Sequence, residues 1–209
     1  MAPIDRREQE RARRRQAILA AARAVFAQDG FHRATVEAIA QQAEVGKGTV
    51  YLYFESKEAI LAELVLQALA ELVARLQAAS DSCSVLHPDQ KLRAMADAYL
   101  SFAQNAPDYF RLLTAFDRGA FQEGISAERR AQILAASEQA LGLVTQAVSD
   151  GMALGIFAAA DPRQAAGVLW AALNGALALT AHPMRRAMMR TDVAGLYHAA
   201  LEVCLRGLK

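Results

Sequence analysis

Apolar residues recur along this chain at spacings of three and four, and polar or glycine punctuation cuts the pattern into helices. The first stripe is Ile18, Leu19, Ala22, Val25 and Phe26, ended by Asp29-Gly30 with glycine in the closing position. A short helix follows from Thr35 to about Gln42, capped by the Thr35 hydroxyl and burying Val36, Ile39, Ala40 and Ala43. Glu44, Val45 and Gly46 form a turn. A second short helix runs from Lys47 to about Phe54 with Val50 and Phe54 inward, four residues apart. From Ser56 a long helix reaches about Ala79, its inner face carrying Ile60, Leu61, Leu64, Leu69, Leu72 and Leu76.

The polar stretch SDSCSVLHPDQ, with Cys83 in it, interrupts the pattern. A helix from about Asp89 to Gln104 then lines up Leu92, Met95, Tyr99 and Phe102, and Asn105-Ala106-Pro107 opens a shorter one. Ser126 caps a long helix that runs through Asp150 and ends at Gly151, leaving Met152 and Phe157 in the connection. Asp161-Pro162-Arg163-Gln164 is a helix start with an acidic cap and proline at the first position. It leads into AAGVLWAALNGALALTA, which contains Trp170, Asn174 and Gly175. That run is shorter than the roughly 20 residues a bilayer requires, and a helix apolar on all sides is expected at a protein interface rather than in a membrane. A basic, methionine-rich link, HPMRRAMMR, precedes the last helix, whose apolar side is Val193, Leu196, Tyr197, Ala200, Leu201 and Cys204. The expected class is all-α.

Two short helices joined by a tight turn, the second with Lys47, Thr49, Tyr51 and Tyr53 facing outward, form a helix-turn-helix DNA reader. The run GKGTVYLYFESKEAIL resembles the DNA-binding signature of the tetracycline-repressor (TetR) family of transcriptional regulators. The resemblance extends back through AVFAQDGFHRATVEAIAQQAEV, about the first quarter of the chain. Two positions depart from the family's habit. Glu44 stands where glycine is common, so it has to accept a backbone conformation that costs a non-glycine residue about 1 kcal/mol. Gly46 stands where serine or threonine is common and offers no side-chain cap.

The residues and the resemblance together assign DNA contact to Thr35, Lys47, Gly48, Thr49, Tyr51, Tyr53 and Lys57. Thr35 sits at a helix N-terminus, where free N–H groups attract phosphate. Lys47 and Lys57 occupy first turns, the unfavourable end for a cation unless it shares a phosphate with the helix. Tyr51 and Tyr53 can bond phosphate through their hydroxyls and meet a thymine methyl with their rings. Arg11, Arg13, Arg14 and Arg15 lie ahead of the first apolar stripe, on a stretch expected to fray at its start. They are either a solvated helix start or an arm that follows the DNA backbone or enters the minor groove.

Charge distribution agrees with contact at one end. Residues 1–57 hold 10 Lys+Arg against 7 Asp+Glu, while the formal net charge of all 209 residues is only +1. The expected division is a DNA-binding domain over 1–57, a connecting helix to about 79, and an effector-binding and dimerisation domain within 58–209. In that second part Tyr99, Phe102, Phe110, Phe116, Phe121, Met152, Trp170 and Asn174 are candidates for the wall of a pocket for a small apolar effector. Four of the eight phenylalanines fall in this set, and each is also readable as core, the commoner role of an aromatic stripe.

The two C-terminal helices carry more apolar surface than one domain needs, which points to a homodimer, as the resemblance also implies. The resulting expectation is a cytoplasmic, ligand-responsive transcriptional regulator that acts as a repressor. It would bind a near-palindromic double-stranded operator as a dimer and be released by its effector. No cofactor or metal is expected. The two cysteines have no metal-ligand spacing, and the four scattered histidines form no catalytic pattern. The rivals are a constitutive DNA-binding protein without effector and an all-helical enzyme.

Overall fold

The computed structural model describes residues 3–82, 87–117 and 124–209, and among them every regular element is an α-helix. In chain order these are α1 (Pro3–Asp29), α2 (Val36–Gln42), α3 (Lys47–Tyr51), α4 (Lys57–Ser82), α5 (Pro88–Asn105), α6 (Pro107–Asp117), α7 (Ala127–Ala153), α8 (Pro162–Ala181), α9 (Pro183–Met189) and α10 (Val193–Gly207). The all-α expectation holds. Packing divides the chain into one unit of Met1–Ala70 with Ala106–Ala135 and another of Glu71–Asn105 with Ala136–Lys209.

The first unit forms around Ile18, Leu19, Ala22, Ile39, Val50, Ile60, Leu61 and Val65, all buried. Phe31, just past the Gly30 turn, is buried against Phe26 with ring centroids 5.4 Å apart. Gly30 takes φ +75°, the left-handed conformation that ends α1. α1 begins earlier than its apolar stripe suggests: the helix extends back to Pro3, so the arginine-rich stretch continues it rather than fraying. Continuing a helix already anchored by its buried turns costs no new nucleation.

Between α2 and α3 the backbone closes as a Schellman turn, with Val45 N–H donating to the Ala40 carbonyl and Glu44 N–H to that of Gln41. Glu44 occupies the left-handed position at φ +54°, as its place in the turn requires. Replacing Glu44 with glycine is therefore expected to stabilise the fold by about 1 kcal/mol, raising Tm by about 2–4 °C for a chain of this size. A thermal melt with no increase would show that the turn holds Glu44 without strain.

In the second unit α8 packs along α10, and α10 also meets α5. Asp161 caps α8, its carboxylate accepting from the N–H groups of Arg163 and Gln164. Leu169, Leu173, Ala176, Leu177 and Thr180 form the buried face of α8, while Val168 and Ala171 lie on the exposed side. By length and composition α8 could cross a membrane, a test that the core helix of a packed bundle also passes. Tyr197 is fully buried and donates to the Ala96 carbonyl at 2.8 Å.

The second unit departs from the sequence expectation in two places. α7 runs through Gly151 to Ala153, and Gly155 at φ +67° makes the reversal instead. Gly151 is needed for close approach, because a Cβ there would lie 2.1 Å from the Phe157 ring. The link after α8 is also helical. Pro183 starts α9 at the first position and arginine, alanine and methionine propagate it, yet every residue in it is exposed, so no apolar stripe announced the helix.

Candidate nucleic-acid interface

The site is built on α2, the turn and α3. Thr35 is in extended conformation ahead of α2 and its hydroxyl accepts from the Ala38 N–H at 3.1 Å, leaving the side chain exposed at the helix N-terminus. α3 is five residues long rather than eight. It ends at Tyr51, and Phe54 returns to the core through a turn in which its N–H still donates to the Val50 carbonyl. Val50 is the buried residue of α3, so the rest of this short helix is surface.

Gly46 caps α3 without a side-chain hydrogen bond. Lys47 is exposed and ion-paired with Glu37 of α2. The pair holds the Glu37 carboxyl below its ordinary range and the Lys47 ammonium above its own, the hydrogen bond between them being the main cause. The same ammonium lies 5.9 Å from the centre of the Tyr51 ring, which is 47% exposed. Gly48 has open space where a Cβ would project. Glycine inside a helix costs about 1 kcal/mol relative to alanine, and no contact within the protein calls for it here. Thr49 and Tyr53 are half-buried.

Lys57 stands in the first turn of α4, as expected, and has partners within the protein. Its ammonium donates to the carbonyls of Phe31 at 2.8 Å and Ala34 at 2.9 Å and lies 4.4 Å from the Phe31 ring centre. These contacts tie the start of α4 to the α1–α2 connection. They account for a cation at a helix N-terminus without any phosphate, and leave one ammonium proton over.

Two neighbours were not singled out from the sequence. Leu52, the C-cap of α3, is 77% exposed, a large apolar side chain beside Tyr51 that the core does not use. Glu37 stands in the first turn of α2, and its pairing ten residues away across a turn has no periodic signature.

The effector candidates fall in both packing units. Phe110 and Phe116 belong to the first unit, whereas Tyr99, Phe102, Met152, Trp170 and Asn174 belong to the second, and Phe121 lies outside the described residues, as does Cys83. Within the second unit the Tyr99 hydroxyl donates to Asn174 at 2.8 Å, and Asn174 in turn donates to the Trp170 carbonyl at 3.0 Å. The Trp170 ring itself is 44% exposed. Phe102 is fully buried with the Arg75 guanidinium 5.8 Å from its ring centre, a core position. Met152 is half-buried in the last turns of α7.

Comparison with known proteins finds matches to two stretches of the chain. Residues 18–64 match the family model described as bacterial regulatory proteins, tetR family. Residues 92–204, more than half of the chain, match that of the tetracyclin repressor-like C-terminal domain. The fatty acid metabolism regulator protein of Bacillus subtilis is 42% identical over 60 residues, 29% of this chain and 31% of that protein. The chain thus spans about a third of that relative's length. The transcriptional repressor NicS of Pseudomonas putida is 27% identical over 153 residues, covering 72% of this chain and 69% of its own. Among solved structures, the regulator FadR of Bacillus subtilis in complex with stearoyl-CoA superposes with a TM-score of 0.74 at 22% identity, covering 93% of this chain and 99% of that one.

Proposed function

The chain belongs to the tetR family of bacterial regulatory proteins, and from that premise we propose that it is a ligand-responsive repressor acting as a homodimer on a near-palindromic operator. The observation that carries the reading is α3 itself. A five-residue helix with one buried side chain, presenting Lys47, Thr49 and Tyr51 beside an uncovered Gly48, has the form of a surface made to meet a partner. In this reading α3 lies in the major groove. Tyr51 and Tyr53 reach bases or phosphates, Lys47 exchanges Glu37 for a phosphate, and Thr35 holds a phosphate at the start of α2. Gly48 lets the backbone approach the duplex. Lys57 acts chiefly by fixing the angle of α4 to the reader.

Pairing of two copies is assigned to the outer sides of α8 and α10, where Val168, Ala171, Ala199 and Val203 are exposed. A C2 pair would set two α3 helices about 34 Å apart, one turn of the duplex. The effector is assigned to the second unit, where Tyr99 and Asn174 offer a polar handle and Met152 is half-buried. An effector that prefers the wrong spacing of the two readers by about 1–3 kcal/mol is enough to weaken operator binding.

Selection of duplexes from a random pool tests this directly. The expected product is a near-palindrome with half-sites about one helical turn apart, retained by the dimer and lost on adding an apolar ligand, with long-chain acyl-CoA thioesters and free fatty acids as the first panel. No enriched sequence would overturn the DNA assignment. An enriched sequence indifferent to every ligand would leave a constitutive binder.

A further inference from the structure

The first turns of α1 bury nothing. Residues 6–14 are all exposed, and residues 6–15 hold six arginines against two glutamates. Arg14 pairs with Glu10 at 2.9 Å and Arg15 with Glu63 at 2.8 Å, while Arg6, Arg7, Arg11 and Arg13 have no ion pair among the described residues. The Arg14–Glu10 pair is solvent-exposed on both sides, so it holds its guanidinium loosely.

This charged segment meets the reader at a defined point. The Arg15 guanidinium lies 5.1 Å from the centre of the ring of Phe54, the residue after Tyr53. Arg14, Arg11 and Arg7 follow one another at spacings of three and four, so they form one helical stripe that begins next to Arg15.

We propose that this stripe is a second DNA-contacting element, in which Arg7, Arg11 and Arg14 bind backbone phosphates next to the half-site occupied by α3. The helical form decides between the two courses open to a basic arm. An α-helix with its side chains is about 10–12 Å across and the minor groove of B-DNA about 6 Å wide, so the stripe follows phosphates and does not enter the groove. Contacts of this kind add affinity and salt dependence without reading bases. The inference rests on the DNA-reading role of α3.

The test compares wild type, Arg11→Gln/Arg14→Gln and Arg6→Gln/Arg13→Gln on the duplex recovered by selection, measuring affinity from about 50 to 200 mM salt. Glutamine keeps the helix, which far-UV circular dichroism checks. Two contacts on each of two protomers predict a plot of log K against log salt shallower by about three to four for the first variant, at about 0.9 per phosphate. Its affinity at the lower salt should fall at least tenfold, with the selected sequence unchanged. The second pair lies off the stripe and should change the slope by less than one. Equal slopes for wild type and Arg11→Gln/Arg14→Gln, equal losses from both variants, or a loss confined to A·T-rich flanks would each overturn the stripe. A wild type that binds no duplex would remove the α3 reading and the stripe with it, whereas wild-type binding with an unchanged slope removes the stripe alone.

Discussion

Replacing Tyr51 with alanine is expected to lower operator affinity about thirtyfold or more while leaving the melting curve and the dimer unchanged. Tyr51 lies on the surface of α3, 47% exposed, and the buried contact of that helix is made by its neighbour Val50. Truncation therefore opens no cavity. A base or phosphate contact of this kind is worth about 1–3 kcal/mol, and a two-fold dimer loses it twice, so the loss spans about 2–6 kcal/mol. Lys47→Ala should act in the same direction, with the added mark of a shallower salt dependence. A footprint unchanged in the Tyr51 variant would move the reading surface off α3.

Replacing Tyr197 with alanine should cost about 3–5 kcal/mol, the range for emptying a large buried aromatic site. Tyr197 has no exposed surface, and its hydroxyl joins α10 to α5 through the Ala96 carbonyl. The conservative variant Tyr197→Phe keeps the volume and removes the hydrogen bond, so about 1 kcal/mol is expected for it. Urea titration separates the two. Burial pushes the Tyr197 phenol far above its ordinary value of 10.0. A folded-state value above the unfolded one contributes stability that is complete below pH 10 and is lost as the pH rises beyond it. Wild type should thus lose stability above about pH 10 more steeply than the Phe variant. Parallel alkaline profiles would show that the buried hydroxyl does not govern that loss.

Much of the fold was legible because its signals are local. The Thr35 hydroxyl caps the next turn, Asp161 caps α8, and the left-handed residue of the Schellman turn had to fall on Glu44 once α2 and α3 were placed. The three-residue error in the end of α3 has a physical origin. Val50 and Phe54 keep helical spacing across a turn that is no longer helix, and periodicity alone does not distinguish the two. Gly151 is the same kind of case, since a glycine tells of missing bulk without telling whether the reason is conformation or the Phe157 ring.

Lys57 and the effector candidates were harder for another reason. Their neighbours are distant in sequence: the Lys57 ammonium meets carbonyls 26 and 23 residues away, and Tyr99 meets Asn174 75 residues away. An apolar stripe shows that Phe102 faces inward. It carries no information on whether the interior there is packed solid or hollow.

The Lys47–Glu37 pair bears on what the protein ignores. A cell is crowded with loose polyanions, among them RNA, polyphosphate and acidic tails, and a bare cationic helix would collect them indiscriminately. Here the ammonium is already answered from within the same fold, so any newcomer must first evict a carboxylate that never diffuses away. Exposed on both sides, the pair is weak, so on the proposed reading it thins the pull on loose polyanions only slightly, while a rigid ligand that meets the rest of α3 in the same encounter readily outweighs it.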